Sequence, residues 1–310
     1  MSLAHIAAEN AMRDLLSARP ETDVFAPEFI AWLHQEFYRH LPEEEWFATS
    51  QSGRKYPLEP GKWRDHHVDV GRHVPPNYSE FGAFLDRFNT VYKNGSIYAT
   101  NRLVALSAAH HRLAWIHPFG DVNGRVARLQ SQSAMIQAGV DGDGLWTFSR
   151  GLARSRVRYY SVLQAADQKR QGDLDGRGNL SDKSLSEFCL FFLLQMLDQI
   201  EFMITLIRPF DLLKRIENYL RYERVDLSLK KRAQLGSLLK VMCLQGEVAR
   251  GEVPKILGLK ETAARGVVRD ALKDELIAAK SEKGALRIAF PNKVVEFYFP
   301  QLFKDLLGDD

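Results

Sequence analysis

This sequence is poor in cysteine, with 2 in 310 residues, Cys189 and Cys243. Both lie in apolar, helix-patterned surroundings, which argues against a disulfide framework and for a reducing compartment. Strong charge of either sign is also missing. The net charge of +3 is too small to point to nucleic acid by itself. No signal peptide is evident, and no uninterrupted apolar run is long enough to span a bilayer. The most apolar run, residues 188–194, is followed by Gln195, Asp198, Gln199 and Glu201 and reads as a buried helix. Internal repeats are absent too. These absences leave a cytoplasmic globular protein with no membrane partner. The length allows two domains, and the shares of 45% hydrophobic and 26% charged residues are ordinary for such a chain.

What is present is mostly helical periodicity. Apolar spacing predicts helices over residues 3–18, 27–40, 78–92, 101–116, 125–137, 150–169 and 184–208, the last ending at Pro209. Residues 48–77, rich in Gly, Pro and charge, read as loop with a short flap. Past residue 228 the pattern changes. Helices are expected over 232–244, 252–257 and 261–275, with a turn at 258–260. Alternation then predicts strands over 276–279 and 285–290, joined by a linker that holds Lys280 and Lys283.

Two clusters imitate metal sites. Asp173 and Asp175 open a calcium-loop-like run, but its fifth position is Arg177 and its twelfth is Ser184, neither of which can serve as a carboxylate ligand. His66 and His67 stand beside Asp65 and Asp69 without a closed ligand set.

The chemistry concentrates in residues 117–128, His-Pro-Phe-Gly-Asp-Val-Asn-Gly-Arg-Val-Ala-Arg. Pro118 ends one helix, and Asp121, Asn123 and Gly124 are turn and N-cap types that lead into the next. A loop feeding a helix N-terminus offers unpaired N–H groups to an anion. Gly124 lets that backbone approach a ligand closely. Arg125 and Arg128, three apart, are neighbours on the helix surface and carry forks that match phosphate oxygens. Asp121 is a candidate magnesium ligand. His117 is a candidate general base near neutral pH, and Phe119 an apolar peg.

On these residues the chain resembles the Fic family, whose motif reads His-x-Phe-x-Asp/Glu-Gly-Asn-Gly-Arg-x-x-Arg. The one departure is Val122, which stands where the family has Gly. A β-branched residue is costly there if the position requires positive φ. Upstream, residues 61–64 and 68–76 resemble the family's flap segment. Downstream, residues 158–163 resemble its nucleotide-pocket helix. The resemblance covers roughly residues 25–210 and implies transfer of AMP from ATP to a Tyr, Ser or Thr hydroxyl of a target protein, with pyrophosphate released. In that reading His117 is the base, Asp121 holds Mg2+, and Asn123, Gly124, Arg125 and Arg128 bind phosphates. Tyr159, Tyr160 and Asp167 touch the nucleoside, and Val70, Gly71, Arg72 and His73 form the flap. The Doc-type branch, which resembles a kinase in activity, has Lys where this chain has Gly124, so Gly124 favours nucleotidyl transfer. The inhibitory Ser/Thr-x-x-x-Glu-Gly/Asn motif of many relatives is not found, because His5 and Leu213 stand where its Ser or Thr would be. The reverse activity, deAMPylation of a modified target, is an alternative that the same His and Asp could support.

The C-terminal order of elements resembles a winged helix-turn-helix. Its reading helix would expose Lys260, Thr262, Arg265, Arg269 and Lys273, diluted by Glu261, Asp270, Asp274 and Glu275. A DNA-binding regulator with a nucleotide-sensing core is therefore a second alternative. The expected fold is mainly α: a Fic-type helical bundle with a short β flap, plus a winged-helix domain. Its expected segments are N-terminal helices over 1–60, a catalytic domain over 61–220 and a winged helix over 228–300. DNA and a second copy of the chain stay open as partners.

Overall fold

A computed structural model describes all residues except 50–52, 54, 69, 72, 94–98, 143–145, 280 and 305–310. The candidate flap residue Arg72 and the linker residue Lys280 therefore lie outside the described residues. The chain is mainly helical, as the spacing predicts, and forms two compact units, Met1–Glu201 and Phe202–Asp310.

The first unit opens with α1 (Ser2–Ala18), which buries Ala4, Ala8, Met12 and Leu16, one residue per turn. Next comes α2 (Pro27–Arg39), with Pro at its first position, where no N–H is needed. It buries Phe29, Ile30, Leu33 and Phe37. A hairpin of β1 (Phe47–Thr49) and β2 (Lys55–Pro57) pairs Ala48 with Tyr56. These strands fall where loop was expected, since three-residue strands show too little alternation to be read. The helices α3 (Phe81–Lys93), α4 (Ala99–Ile116) and α5 (Asn123–Gln137) follow. α5 is the centre of the unit, packed against α4, α2 and α1. Its buried hydroxyls are satisfied within the helix, Ser131 donating to Ala127 O and Ser133 to Leu129 O, both at 2.8 Å.

The single helix expected over 150–169 is two helices, α6 (Phe148–Arg154) and α7 (Arg156–Ala166). Ser155, at φ −102 and ψ 30, breaks them. A one-residue break leaves the apolar period nearly in phase, so periodicity does not reveal it. α8 (Asp182–Leu206) is long and apolar enough to cross a bilayer, by length and composition alone. It buries Phe188, Phe191, Phe192 and Met196 and leaves Leu190, Leu194 and Leu197 exposed.

The second unit holds α9 (Pro209–Tyr222), α10 (Leu229–Gln245), β3 (Glu247–Val248), α11 (Val253–Leu257), α12 (Glu261–Lys273), β4 (Ile277–Ala279), β5 (Leu286–Ile288) and α13 (Asn292–Tyr298). The strands form an antiparallel sheet in the order β3-β5-β4, with Val248 opposite Leu286 and Ile277 opposite Ile288. Leu238, Leu239, Val248, Leu286 and Val294 are fully buried and make the centre of its core. α12 ends two residues earlier than expected, because Glu275 takes a left-handed conformation at φ 56. The stretch after Pro209, unread in the sequence, is α9, which buries Leu212, Ile216 and Leu220.

Candidate active site

The site is built on the connection from α4 to α5. His117 leaves α4 at φ 51, a left-handed conformation that non-glycine residues seldom hold. Phe119 is fully buried and stacks on His34, with ring centroids 3.9 Å apart and planes 13° apart. At Gly120 a Cβ would come within 2.7 Å of Leu58 Cδ2, so the Leu58 side chain would have to shift to admit one. Val122 sits at φ 52 and ψ 14, so the position does require positive φ. The Val122 N–H donates to Asp121 Oδ1 at 2.7 Å.

Asn123 then starts α5, but its side chain faces back. Oδ1 accepts from Phe119 N at 2.9 Å and Nδ2 donates to Phe119 O at 2.8 Å. The resemblance puts Asn123 on phosphate; in this structure its side-chain amide is engaged with Phe119. Its amide imitates a backbone partner and closes the loop, which leaves the main-chain N–H of Asn123 to face an anion. The N–H groups of Asn123 and Gly124, first in the helix, are the ones that no intrahelical carbonyl can satisfy.

Two clefts meet here. One, of about 640 Å³, is lined by Ala48, Tyr56, His66, His67, Asp121, Asn123, Arg125 and neighbouring residues. The other, of about 460 Å³, is lined by Gly71, His73, Ala114, Trp115, Tyr159, Leu163, Gln164 and Asp167. Val70, His117, Gly124, Arg128 and Tyr160 line both. Nearly all expected core-site residues are thus brought together, Arg72 alone being outside the described residues. Among the described residues neither Arg125 nor Arg128 has a carboxylate partner; Arg125 instead lies over the Phe37 ring, 5.4 Å from its centroid. Two arginines with no carboxylate partner among the described residues, beside a helix N-terminus, have the chemistry to hold an anion.

His117 Nδ1 lies 3.2 Å from Ala114 O. A carbonyl only accepts, so Nδ1 carries the proton and Nε2 is left basic. Burial lowers the His117 pKa to about 4, with His73 and Arg64 adding to the effect and the Ala114 contact opposing it. The ring is therefore neutral at pH 7.

The walls are fixed by histidines that the sequence did not single out. Ser131 donates its own proton to Ala127 O, so His110 Nδ1–H donates to Ser131 Oγ at 2.8 Å. His110 Nε2 must then accept from Tyr159 OH at 2.9 Å, which fixes the Tyr159 ring at the cleft wall. Burial holds His110 near pKa 3, so this assignment persists at any ordinary pH. His111 Nε2 meets Asp167 Oδ1 at 2.9 Å. At the flap, Val70 and His73 exchange main-chain bonds of 3.1 and 3.0 Å, and His73 Nε2 donates to Trp115 O at 2.8 Å. Adjacent histidines inside a helical run were the only local signal for this scaffold, and their partners lie 21 to 56 residues away in sequence.

The Fic/DOC family model matches residues 23–133, a stretch that includes the whole loop, α4 and most of α5. Residues 23–133 are thus similar to a Fic/DOC domain. Similar curated proteins include protein adenylyltransferase Fic of Aedes aegypti, 29% identical over 116 residues, which is 37% of this chain and 22% of that protein. The protein of that name from Nematostella vectensis is 38% identical over 89 residues, 28% of this chain and 20% of the relative. The one from Drosophila willistoni is 36% identical over 120 residues, again 37% and 22%. The matched part of the chain thus spans about a fifth of the length of these curated relatives. Among solved structures, a Fic family protein from Desulfovibrio desulfuricans G20 aligns with a TM-score of 0.45 at 18% identity, covering 92% of this chain and 73% of that one.

The candidate DNA-facing residues lie apart, in the second unit. Lys260 precedes α12, and Thr262, Arg265 and Arg269 are exposed on it. Arg265 pairs with Glu261 at 3.1 Å and Arg269 with Asp270 at 3.4 Å.

Proposed function

We propose that this chain is an ATP-dependent protein adenylyltransferase that moves AMP onto a Tyr, Ser or Thr hydroxyl of a target protein. The observation that carries this reading is the junction of a polar, arginine-lined cleft and an aromatic cleft at one neutral histidine, His117. The aromatic cleft suits a nucleoside, between Tyr159, Tyr160 and Trp115. The polar cleft suits a polyphosphate, with Arg125, Arg128 and the first N–H groups of α5 facing it. His117 Nε2 takes the proton of the target hydroxyl. The hydroxyl oxygen bonds to the α-phosphorus, the bond from that phosphorus to the bridging oxygen breaks, and pyrophosphate leaves. The work of the protein is positioning and charge stabilisation.

A magnesium ion fits the residues present. Among the described residues no group of three or more His, Cys, Asp or Glu side chains is placed to hold a metal ion; magnesium usually takes one or two carboxylates plus substrate phosphates. Asp121 would hold it. Near Asp121 and Arg125, the buried Tyr38 hydroxyl has, among the described residues, no hydrogen-bond partner and could meet a bound water. Magnesium would supply neutralisation of phosphate charge.

Incubation with α-labelled ATP and host lysate should label protein, and His117→Ala should abolish the label. Label retained in His117→Ala would remove this reading.

A second reading concerns Phe202–Asp310. Its helix, strand, two helices and two strands follow the order of a winged helix-turn-helix, with α12 as reading helix. It predicts a duplex shift that weakens with salt and is lost in Arg265→Ala plus Arg269→Ala. The pairing of both arginines with acidic neighbours counts against it.

A further inference from the structure

Arg64 is 5% exposed and, among the described residues, meets no carboxylate. All three of its guanidinium nitrogens donate to main-chain carbonyls. Nε reaches His117 O at 2.9 Å, Nη1 reaches His66 O at 2.7 Å and Nη2 reaches Pro76 O at 2.8 Å. Its own N–H donates to Pro118 O at 2.9 Å. The guanidinium also lies over the Phe81 ring, 4.4 Å from its centroid. Burying a cation without a counter-ion is expensive, and burial lowers the Arg64 pKa to about 10. Three charge-assisted bonds and an aromatic face offset that cost.

The identity of the three carbonyls is the informative part. One belongs to the candidate base. The other two are the ends of the 66–76 segment, which carries the Val70–His73 turn over Trp115. We propose that Arg64 is a positioning residue that registers the His117 imidazole against this segment. The proposal rests on the reading of His117 as general base. His117 sits in a left-handed conformation that is costly for a residue with a Cβ, so its peptide planes need outside support. Arg64 supplies it on the C-terminal side, through His117 O and Pro118 O, while the His117 N–H donates to Leu113 O at 3.2 Å on the other. The same fork ties the covering segment at both ends, while His73 ties its tip. Only a planar, three-nitrogen cation can do this; a lysine ammonium cannot span the three carbonyls in a fixed plane.

The test uses the full chain with Arg64→Lys and Arg64→Gly. In Arg64→Lys, kcat for protein labelling should fall about 100-fold, the cost of a misplaced reacting group, with KM for ATP changed by less than about threefold, since the phosphate groups are untouched. Amide exchange should quicken together in peptides covering residues 66–76 and 113–119. Added guanidinium ion should restore part of the rate in Arg64→Gly. Wild-type kcat in Arg64→Lys, or faster exchange in only one of the two segments, overturns the proposal. So does a folded Arg64→Gly that guanidinium does not rescue; if that variant fails to fold, Arg64→Lys decides. If the wild-type protein labels nothing, the adenylyltransferase reading falls, and joint or separate exchange in Arg64→Lys still decides the positioning role.

Discussion

Val122 occupies a conformation that suits glycine, at φ 52, yet its side chain is only 5% exposed. The left-handed backbone costs an L-residue about 1–2 kcal/mol. Burying the isopropyl group returns a similar amount. The two effects separate by substitution. Val122→Ala keeps the strain and loses the packing, whereas Val122→Gly loses the packing and the strain. Val122→Gly should therefore be the more stable of the two by about 1 kcal/mol, the reverse of the usual order of Ala over Gly in regular structure. Urea unfolding midpoints of both variants measure this, and Ala at or above Gly would show that the residue is unstrained. His117 gives a second residue-scale outcome. Its pKa is lowered to about 4, mainly by burial, so the basic form is present above that value and is lost only as pH falls through it. The kcat/KM for labelling should stay nearly flat from pH 7.5 to 5.5. A solvent-exposed histidine of pKa 6.5 would lose about tenfold over the same interval. A falling limb centred near 6.5 would mean that the ring is solvated.

The element that makes the site is the N-terminus of α5 with the loop that feeds it, and Asn123 is its clip. Asn123→Ala leaves the Phe119 N–H and C=O without partners in a buried place, which costs about 2–4 kcal/mol for the two groups. Asn123→Asp keeps the acceptor and loses the donor, so it should fall between Asn123→Ala and wild type in urea unfolding. Equal midpoints for all three proteins would mean that the clip is idle. The motif residues of this loop were legible because their types crowd into one short run. What the amide of Asn123 touches was not, since phosphate and backbone are both suitable partners for it. The same limit runs through the elements. Helices with one broad apolar stripe, such as α1 and α2, announce themselves by period. The β1–β2 hairpin is too short to show alternation, and the Ser155 break leaves the helical phase of α6 and α7 nearly intact. Arg64, His110 and His111 act through partners distant in sequence, and no local pattern encodes such partners.

At the scale of the whole molecule, titratable groups are unevenly divided. All nine histidines and all five tryptophans lie in Met1–Glu201, and none in Phe202–Asp310. Burial lowers the pKa of His34 and His110 to about 3 and of His5 and His117 to about 4, and also lowers that of His111. A depressed histidine gives stability that is complete above its unfolded pKa of 6.5 and is lost as pH falls toward the folded value. At pH 5 the loss is about 2 kcal/mol for each of His34 and His110, a large part of the 5–15 kcal/mol that a domain typically holds. The second unit has no such term. Its shifted carboxylates, Asp226 and Asp270, lie below the ordinary carboxylate range and stay ionised through this window. Acidification from pH 6.5 to 4 should therefore unfold the first unit while the second persists. Tryptophan fluorescence reads the first unit alone, and far-ultraviolet circular dichroism reads both. The expected result is a cooperative tryptophan transition above pH 4, with helical signal from α9, α10 and α12 remaining. Tryptophan emission unchanged down to pH 4 would mean that these histidines titrate freely in the folded state, and with it the buried, fixed tautomers of His110 and His117 would be lost.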